Sequence, residues 1–238
     1  MNVSARQQVI VSDQRYLVVG LGETGVSVVK HLRGQGKSVA VVDTRKQPPN
    51  MTWLRDTYPE VPLYCESVPQ DYFNSSVTWV VSPGIALSEP MVVEAQTSGA
   101  PIMGDLDLFM QAATAPVIGI TGSNGKSTVT TMVGEMLSAA GLRVAVGGNL
   151  SPAALTLLAE QVEVYVIEMS SFQLERSASL GLDVAAVLNV TADHIDHHGS
   201  MAAYHAAPDS TGRIRTSRSI SKKSDWIHFR IIGDVSLI

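Results

Sequence analysis

The sequence predicts an α/β fold in two successive units. A β-branched apolar run, a glycine-rich turn and a helical stretch follow one another over 16–34. The same order recurs over 117–141. Short apolar runs then alternate with helical patterns as far as residue 190, as in a mainly parallel sheet.

The first unit begins with Tyr16-Leu17-Val18-Val19, and Gly20-Leu21-Gly22-Glu23-Thr24-Gly25 supplies the turn. A helix through Val26, Val29 and Leu32 stops near Gly34 and Gly36. The strand Val39-Ala40-Val41-Val42 ends at Asp43. Thr78-Trp79-Val80-Val81 is a further strand, closed by Ser82-Pro83-Gly84. A helix around 89–98 stops at Gly99. A boundary falls near 111–116.

The second unit opens on Val117-Ile118-Gly119-Ile120 and the loop Thr121 to Thr128. The helix behind it carries Val129, Met132, Val133, Met136, Leu137 and Ala140 at helical spacing, the signature of a core-facing stripe. Strands are expected at 143–146, 162–169 and 183–190.

Composition narrows the function classes. The 238 residues are 45% hydrophobic and 16% charged, with a net charge of −5. An acidic chain of this kind is not built to neutralise nucleic-acid phosphates. No apolar run approaches the roughly 20 residues of a membrane span, and the polar N-terminus lacks the apolar region of a signal peptide. The single Cys65 excludes an internal disulfide framework and suits a reducing compartment. A soluble, cytoplasmic protein is expected. Residues 208–238 differ in character, with six Lys/Arg against three Asp, whereas 1–207 holds 11 basic and 19 acidic residues.

Four motifs can carry chemistry. In the loop 121–128, Gly122 and Gly125 let backbone N–H groups converge on an anion at a helix N-terminus. Lys126 can reach nucleotide phosphates, and Ser127 can place its hydroxyl on Mg²⁺. The strict phosphate-loop pattern would need glycine at 120, where Ile120 stands, so this is a variant. The second motif is Gly20-x-Gly22-x-x-Gly25 with Asp43 at the next strand end, a dinucleotide fingerprint if read literally. The glycines do not decide between NAD, another nucleotide and a bare turn. Third, Glu168 ends the apolar strand Val164 to Ile167, where a carboxylate can hold Mg²⁺ or merely cap the loop. Fourth, Asp193, His194, Asp196, His197 and His198 cluster after the last strand. That set suits Zn²⁺ as well as Mg²⁺, and His197 and His198 read as a solvated loop.

Together the strings TGSNGKSTVTTMVGEML, SPGIAL, GDLDLF, GGNL, EMSSFQLE and LNVTADHIDHHG resemble the Mur ligases, in the branch that adds D-glutamate during peptidoglycan synthesis. The resemblance runs from about Tyr16 to Ala207. It implies a Rossmann-like N-terminal domain over 1–112, then a truncated P-loop ATPase-type α/β domain over 113–207, with 208–238 as a divergent tail. Glu23 and Thr24 would lie beside the UDP of the substrate, not NAD. Asp43, Thr44 and Arg45 would lie near the uracil, and Gly84 and Asn149 would also touch substrate. Gly122, Ser123, Asn124, Gly125, Lys126, Ser127 and Thr128 would bind ATP. Ser127, Glu168 and His194 would hold Mg²⁺, with Lys126, Glu168 and His194 the catalytic set.

The implied reaction joins D-glutamate to UDP-N-acetylmuramoyl-L-alanine at the expense of ATP, through an acyl phosphate. Small molecules are the expected partners, without nucleic acid or membrane. The chain departs from the family at Tyr204-His205-Ala206-Ala207-Pro208, where the last position should be lysine. Nothing after it resembles the D-glutamate-holding domain. An impaired ligase and a non-catalytic nucleotide-binding remnant are the two expectations.

Overall fold

The computed structural model describes residues 14–177, 179–189 and 214–216, the last three by backbone alone. The first sheet holds β1 (Arg15–Val19), β2 (Ser38–Asp43), β3 (Leu63–Cys65), β4 (Val77–Val81) and β5 (Ile102–Met103). Their order is β3-β2-β1-β4-β5, and every pairing is parallel. This is a doubly wound, Rossmann-like order, with the chain switching direction between β1 and β4. The three central strands are buried on both faces, and the edge strands β3 and β5 are half-buried. Leu17, Val19, Trp79 and Val81 join one core cluster, while Tyr16, Val18 and Val80 join the other.

Helix α1 (Glu23–Gly34) follows the turn after β1 and buries Val28, Val29 and Leu32. Short helices α2 (Met51–Thr57) and α3 (Pro90–Thr97) complete the first unit. Proline at the start of α3 suits its first turn, where no intrahelical N–H is needed.

Helix α4 (Asp105–Ala112) leads to the second sheet. There β6 (Val117–Thr121) lies between β8 (Val164–Glu168) and β10 (Val184–Val187), with β7 (Val144–Gly148) beyond β8, all parallel. Between these strands run α5 (Lys126–Ala139) and α6 (Ser171–Arg176). Strand β9 (Leu180–Leu182) pairs with β11 (Ile214–Thr216), so a short strand occurs in a tail that showed no period in the sequence.

The two units share one core. Phe109 of α4 meets Tyr165 of β8 edge to face, with centroids 5.2 Å apart. Both belong to the cluster that contains Val18 and Val28 of the first unit.

Helix α5 bears out the apolar stripe only in part: Val129, Val133 and Leu137 are half-buried, whereas Met132, Met136 and Ala140 are exposed. Its buried positions are Thr130 and Gly134, while Met132 and Met136 stand 55% and 68% exposed. Close approach is the reason. A Cβ at Gly134 would lie 2.5 Å from Val146 Cγ2, so only a glycine lets α5 settle onto β7 along this face. The helix is thereby rotated, and its methionines turn outward.

Candidate functional site

The turn after β1 is built by close contacts. Gly20 has φ +93°, and a Cβ at Gly25 would meet the Gly20 carbonyl at 1.9 Å, which binds α1 tightly to β1. Above Gly22 there is nothing within 4 Å, an opening where a ligand can approach the backbone. Leu21 is held from both sides: its N–H donates to Asp43 Oδ2 at 2.7 Å, and its carbonyl accepts from Asn50 Nδ2 at 3.0 Å.

Asp43 is fully buried and accepts four hydrogen bonds. Besides Leu21, the Arg45 N–H and Nε donate to Oδ1, and an Arg45 Nη donates to Oδ2. Burial pushes this carboxyl upward, but the bonds from Arg45 and Leu21 outweigh it and hold the group below its usual range. Its lone pairs are committed to the turn and to Arg45, whose side chain is half exposed. Thr44 is half-buried beside them.

The turn after β4 closes the other side of the same crevice. The Ser82 N–H donates to the Val19 carbonyl, and Ser82 Oγ donates to the Gly20 carbonyl. Gly84 of this turn lines a cleft of about 420 Å³ together with Pro83, Ala86, Asn149, Ser170 and Phe172. The cleft therefore spans both units. Nearby, Glu23 at the start of α1 accepts from Ser151 Oγ at 2.8 Å, and Thr24 is half-buried.

In the second unit the loop leaves β6 at Thr121. Gly122 has φ +146°, and Gly125, with φ +80°, precedes the first residue of α5. Such backbone conformations favour glycine. Ile120 is buried inside β6, so the turn starts later than in the strict motif. Lys126 Nζ donates to the Gly122 and Ser123 carbonyls at 2.8 and 3.1 Å. Ser127 and Thr128 are exposed in the first turn of α5, Asn124 is exposed, and Ser123 is half-buried.

Glu168 ends β8 in register with Ile120 of β6 and Gly148 of β7. Its Oε1 accepts from Asn149 Nδ2 at 2.6 Å, and its buried Oε2 has no hydrogen-bond partner among the described residues. A buried carboxylate oxygen without a partner calls for a cation or water. A hard divalent cation fits the donor. Among the described residues no three His, Cys, Asp or Glu side chains cluster as a metal cage. A single carboxylate agrees with Mg²⁺, which usually takes one or two from the protein and completes its shell with phosphate and water. His194, like Asp193, Asp196, His197 and His198, lies outside the described residues.

Sequence reasoning assigned no role to a second buried group. Asp105, at the start of α4, accepts from Gln173 Nε2 of α6 at 2.9 Å. Arg176 of α6 donates to the carbonyls of Phe172 and of Ile85 in the first unit. Burial pushes the Asp105 carboxyl up to about 6 despite Gln173 and Arg176, and burial lowers the Arg176 guanidinium. Both residues stood inside or beside quoted motifs, but no spacing indicated that α4 and α6 meet. Asn189, at the end of β10, was likewise missed: it binds the loop at Ser123 and Asn124.

A Rossmann-like sheet feeding a P-loop-type sheet, with glycine turns at both first strands and an acid beside the second loop, defines a two-unit α/β protein whose strand ends are the places where such sheets take ligands. Comparison with known families agrees. Residues 14–104 match the Mur ligase MurD-like N-terminal domain, and residues 120–209 match the Mur ligase middle domain. Over these residues the chain belongs to the Mur ligase family.

It is 52% identical over 198 residues to a UDP-N-acetylmuramoylalanine–D-glutamate ligase of Pseudomonas syringae pv. syringae, covering 83% of this chain and 44% of that protein. It is also 52% identical over 199 residues to the ligase of the same name from Marinobacter nauticus, covering 84% and 45%. The chain thus spans less than half the length of these relatives. A solved UDP-N-acetylmuramate–alanine ligase from Thermotoga maritima overlays with a TM-score of 0.49 at 21% identity, over 85% of this chain and 48% of that one. No helix among the described residues is long and apolar enough to cross a membrane.

Proposed function

We propose that this chain carries the UDP-substrate-binding and ATP-binding parts of a cytoplasmic ligase that joins D-glutamate to UDP-N-acetylmuramoyl-L-alanine. The working division is 1–112 for the first part, 113–207 for the second and 208–238 for the tail. The observation that carries this reading is the position of Asn149. Its side chain binds Glu168 beside the phosphate loop, and it lines the same cleft as Gly84 of the first unit.

In this reading the UDP lies against the opening at Gly22, with Glu23 and Thr24 beside it and Asp43, Thr44 and Arg45 near the base. Asp43 acts by holding Arg45 and the turn in place. The residues from Gly122 to Thr128 take the ATP phosphates, and the Lys126 ammonium exchanges the loop carbonyls for phosphate oxygens. Ser127, Glu168 and His194 would hold Mg²⁺, which supplies charge neutralisation to the phosphates when bound. ATP phosphorylates the substrate carboxylate, the D-glutamate amine attacks the acyl phosphate, and phosphate leaves. The protein's contribution is to align two anions and neutralise them.

Calorimetry with UDP-N-acetylmuramoyl-L-alanine and with NAD tests the first half of this reading. The UDP compound should bind more tightly, and tighter NAD binding would overturn it. A second reading, nucleotide binding without ligation, is favoured by Pro208 standing where the resemblance expects lysine. D-glutamate-dependent phosphate release decides between the two.

A further inference from the structure

Among the described residues, the Asn189 side chain reaches the loop between Gly122 and Gly125 across 65 positions of sequence. Strand β10 pairs with β6 up to Val187 opposite Thr121. The pairing continues past the sheet, because the Leu188 N–H donates to the Thr121 carbonyl and the Ser123 N–H donates to the Asn189 carbonyl. Where the two backbones diverge, the Asn189 side chain takes over. Its Oδ1 accepts from the Asn124 N–H at 2.8 Å, and its Nδ2 donates to the Asn124 carbonyl at 2.8 Å. A peptide N–H can only donate and a carbonyl can only accept, so this amide orientation is forced. The side chain imitates a neighbouring strand.

Few residues can do this. A two-point match to the N–H and the carbonyl of one residue needs an acceptor and a donor on the same short side chain. Aspartate lacks the donor, alanine lacks both, and glutamine is one methylene longer. Gly122 is part of the fit. A Cβ there would lie 3.1 Å from both the N and the O of Asn189, so the glycine admits the clasp as well as the turn.

We infer that Asn189 is a positioning residue for the phosphate loop: its two-point clasp on Asn124 pre-shapes the loop before nucleotide arrives. The inference rests on the nucleotide-binding reading above. Without the clasp, a segment with two glycines in unusual conformations must be ordered at the moment of binding, and affinity carries that entropy. The effect is confined to the second unit.

The test is binding of Mg²⁺–ADP and of UDP-N-acetylmuramoyl-L-alanine to the full chain, by calorimetry, for wild type, Asn189→Ala and Asn189→Asp. Hydrogen exchange at the Ser123 and Asn124 amides is followed in parallel without ligand. Asn189→Ala should weaken Mg²⁺–ADP at least tenfold, leave the UDP compound within twofold and expose the Asn124 amide to faster exchange, while the Ser123 amide keeps its bond to the residue 189 carbonyl. Asn189→Asp keeps the acceptor, folds with the same steric demand and should weaken Mg²⁺–ADP while protecting the Asn124 amide. Unchanged Mg²⁺–ADP affinity in both variants overturns the inference and leaves the nucleotide reading standing. Parallel loss of both ligands also overturns it, since the role is then only structural. A wild-type chain that binds no Mg²⁺–ADP overturns the inference together with the nucleotide reading.

Discussion

The Asn149 amide donates to Oε1 of Glu168 at 2.6 Å, while Oε2 of the same carboxylate is buried without a hydrogen-bond partner among the described residues. One oxygen is thus committed to the chain, and in the proposed reading the other takes Mg²⁺. Glu168→Gln keeps the acceptor for Asn149 and replaces the second oxygen with an amide nitrogen, which cannot ligate a cation. The variant matches the shape of wild type and should still fold. Its Mg²⁺-dependent gain in ADP affinity should fall tenfold or more. Mg²⁺ titrations at fixed ADP measure this, and an undiminished Mg²⁺ effect in the variant would remove Glu168 from the metal site.

Lys126 bonds to the carbonyls of its own loop at Gly122 and Ser123. In the proposed reading those bonds are exchanged for phosphate when nucleotide binds. With ligand at a hundred times its Kd, wild type should gain about 2.7 kcal/mol of stability. Lys126→Ala should gain close to none. Thermal unfolding with and without Mg²⁺–ADP is the measurement, and equal shifts in the two proteins would refute the role.

Asp105 should make the protein more stable in mild acid. Burial raises its carboxyl to about 6, above the ordinary 3.8. The folded state therefore holds the proton more tightly than the unfolded chain. This group's contribution grows as pH falls through 6 and levels off below about 4. At pH 7 the buried charge costs on the order of 3 kcal/mol at most. Asp105→Asn keeps the acceptor for Gln173, should be more stable than wild type at pH 7, and should lose the gain on acidification. Asp43 has the opposite sign, but its window lies lower, below the usual carboxylate range. Denaturant unfolding from pH 5 to 8 tests the claim, and parallel profiles for the two proteins would refute it.

Gly25 and Gly22 should respond differently to alanine. A Cβ at Gly25 would meet the Gly20 carbonyl at 1.9 Å, so Gly25→Ala forces α1 away from β1. A loss of about 3 kcal/mol or more is expected. Gly22 has open space above it and an ordinary backbone conformation, so Gly22→Ala should fold normally. Its affinity for UDP-N-acetylmuramoyl-L-alanine should drop tenfold. Unfolding curves and calorimetry on the two variants separate the roles, and a Gly22→Ala chain with wild-type affinity would mean the opening takes no ligand.

Much of this protein is written locally in its sequence. Strand runs, glycine turns and the loop before Lys126 were legible because backbone conformation and hydrophobic period are properties of a few adjacent residues. The fold class and the positions of Gly20, Gly122 and Glu168 at strand ends follow from them. The contacts that complete the site join residues far apart in sequence: Asn189 with Asn124 across 65 positions, and Gln173 with Asp105 across 68. Those pairings depend on strand order and on which helix lies over which strand, and neither is encoded in any short window. The outward turn of Met132 and Met136 has the same origin. Periodicity marks an apolar stripe on α5, but the close approach of Gly134 to Val146 chose the face that was buried.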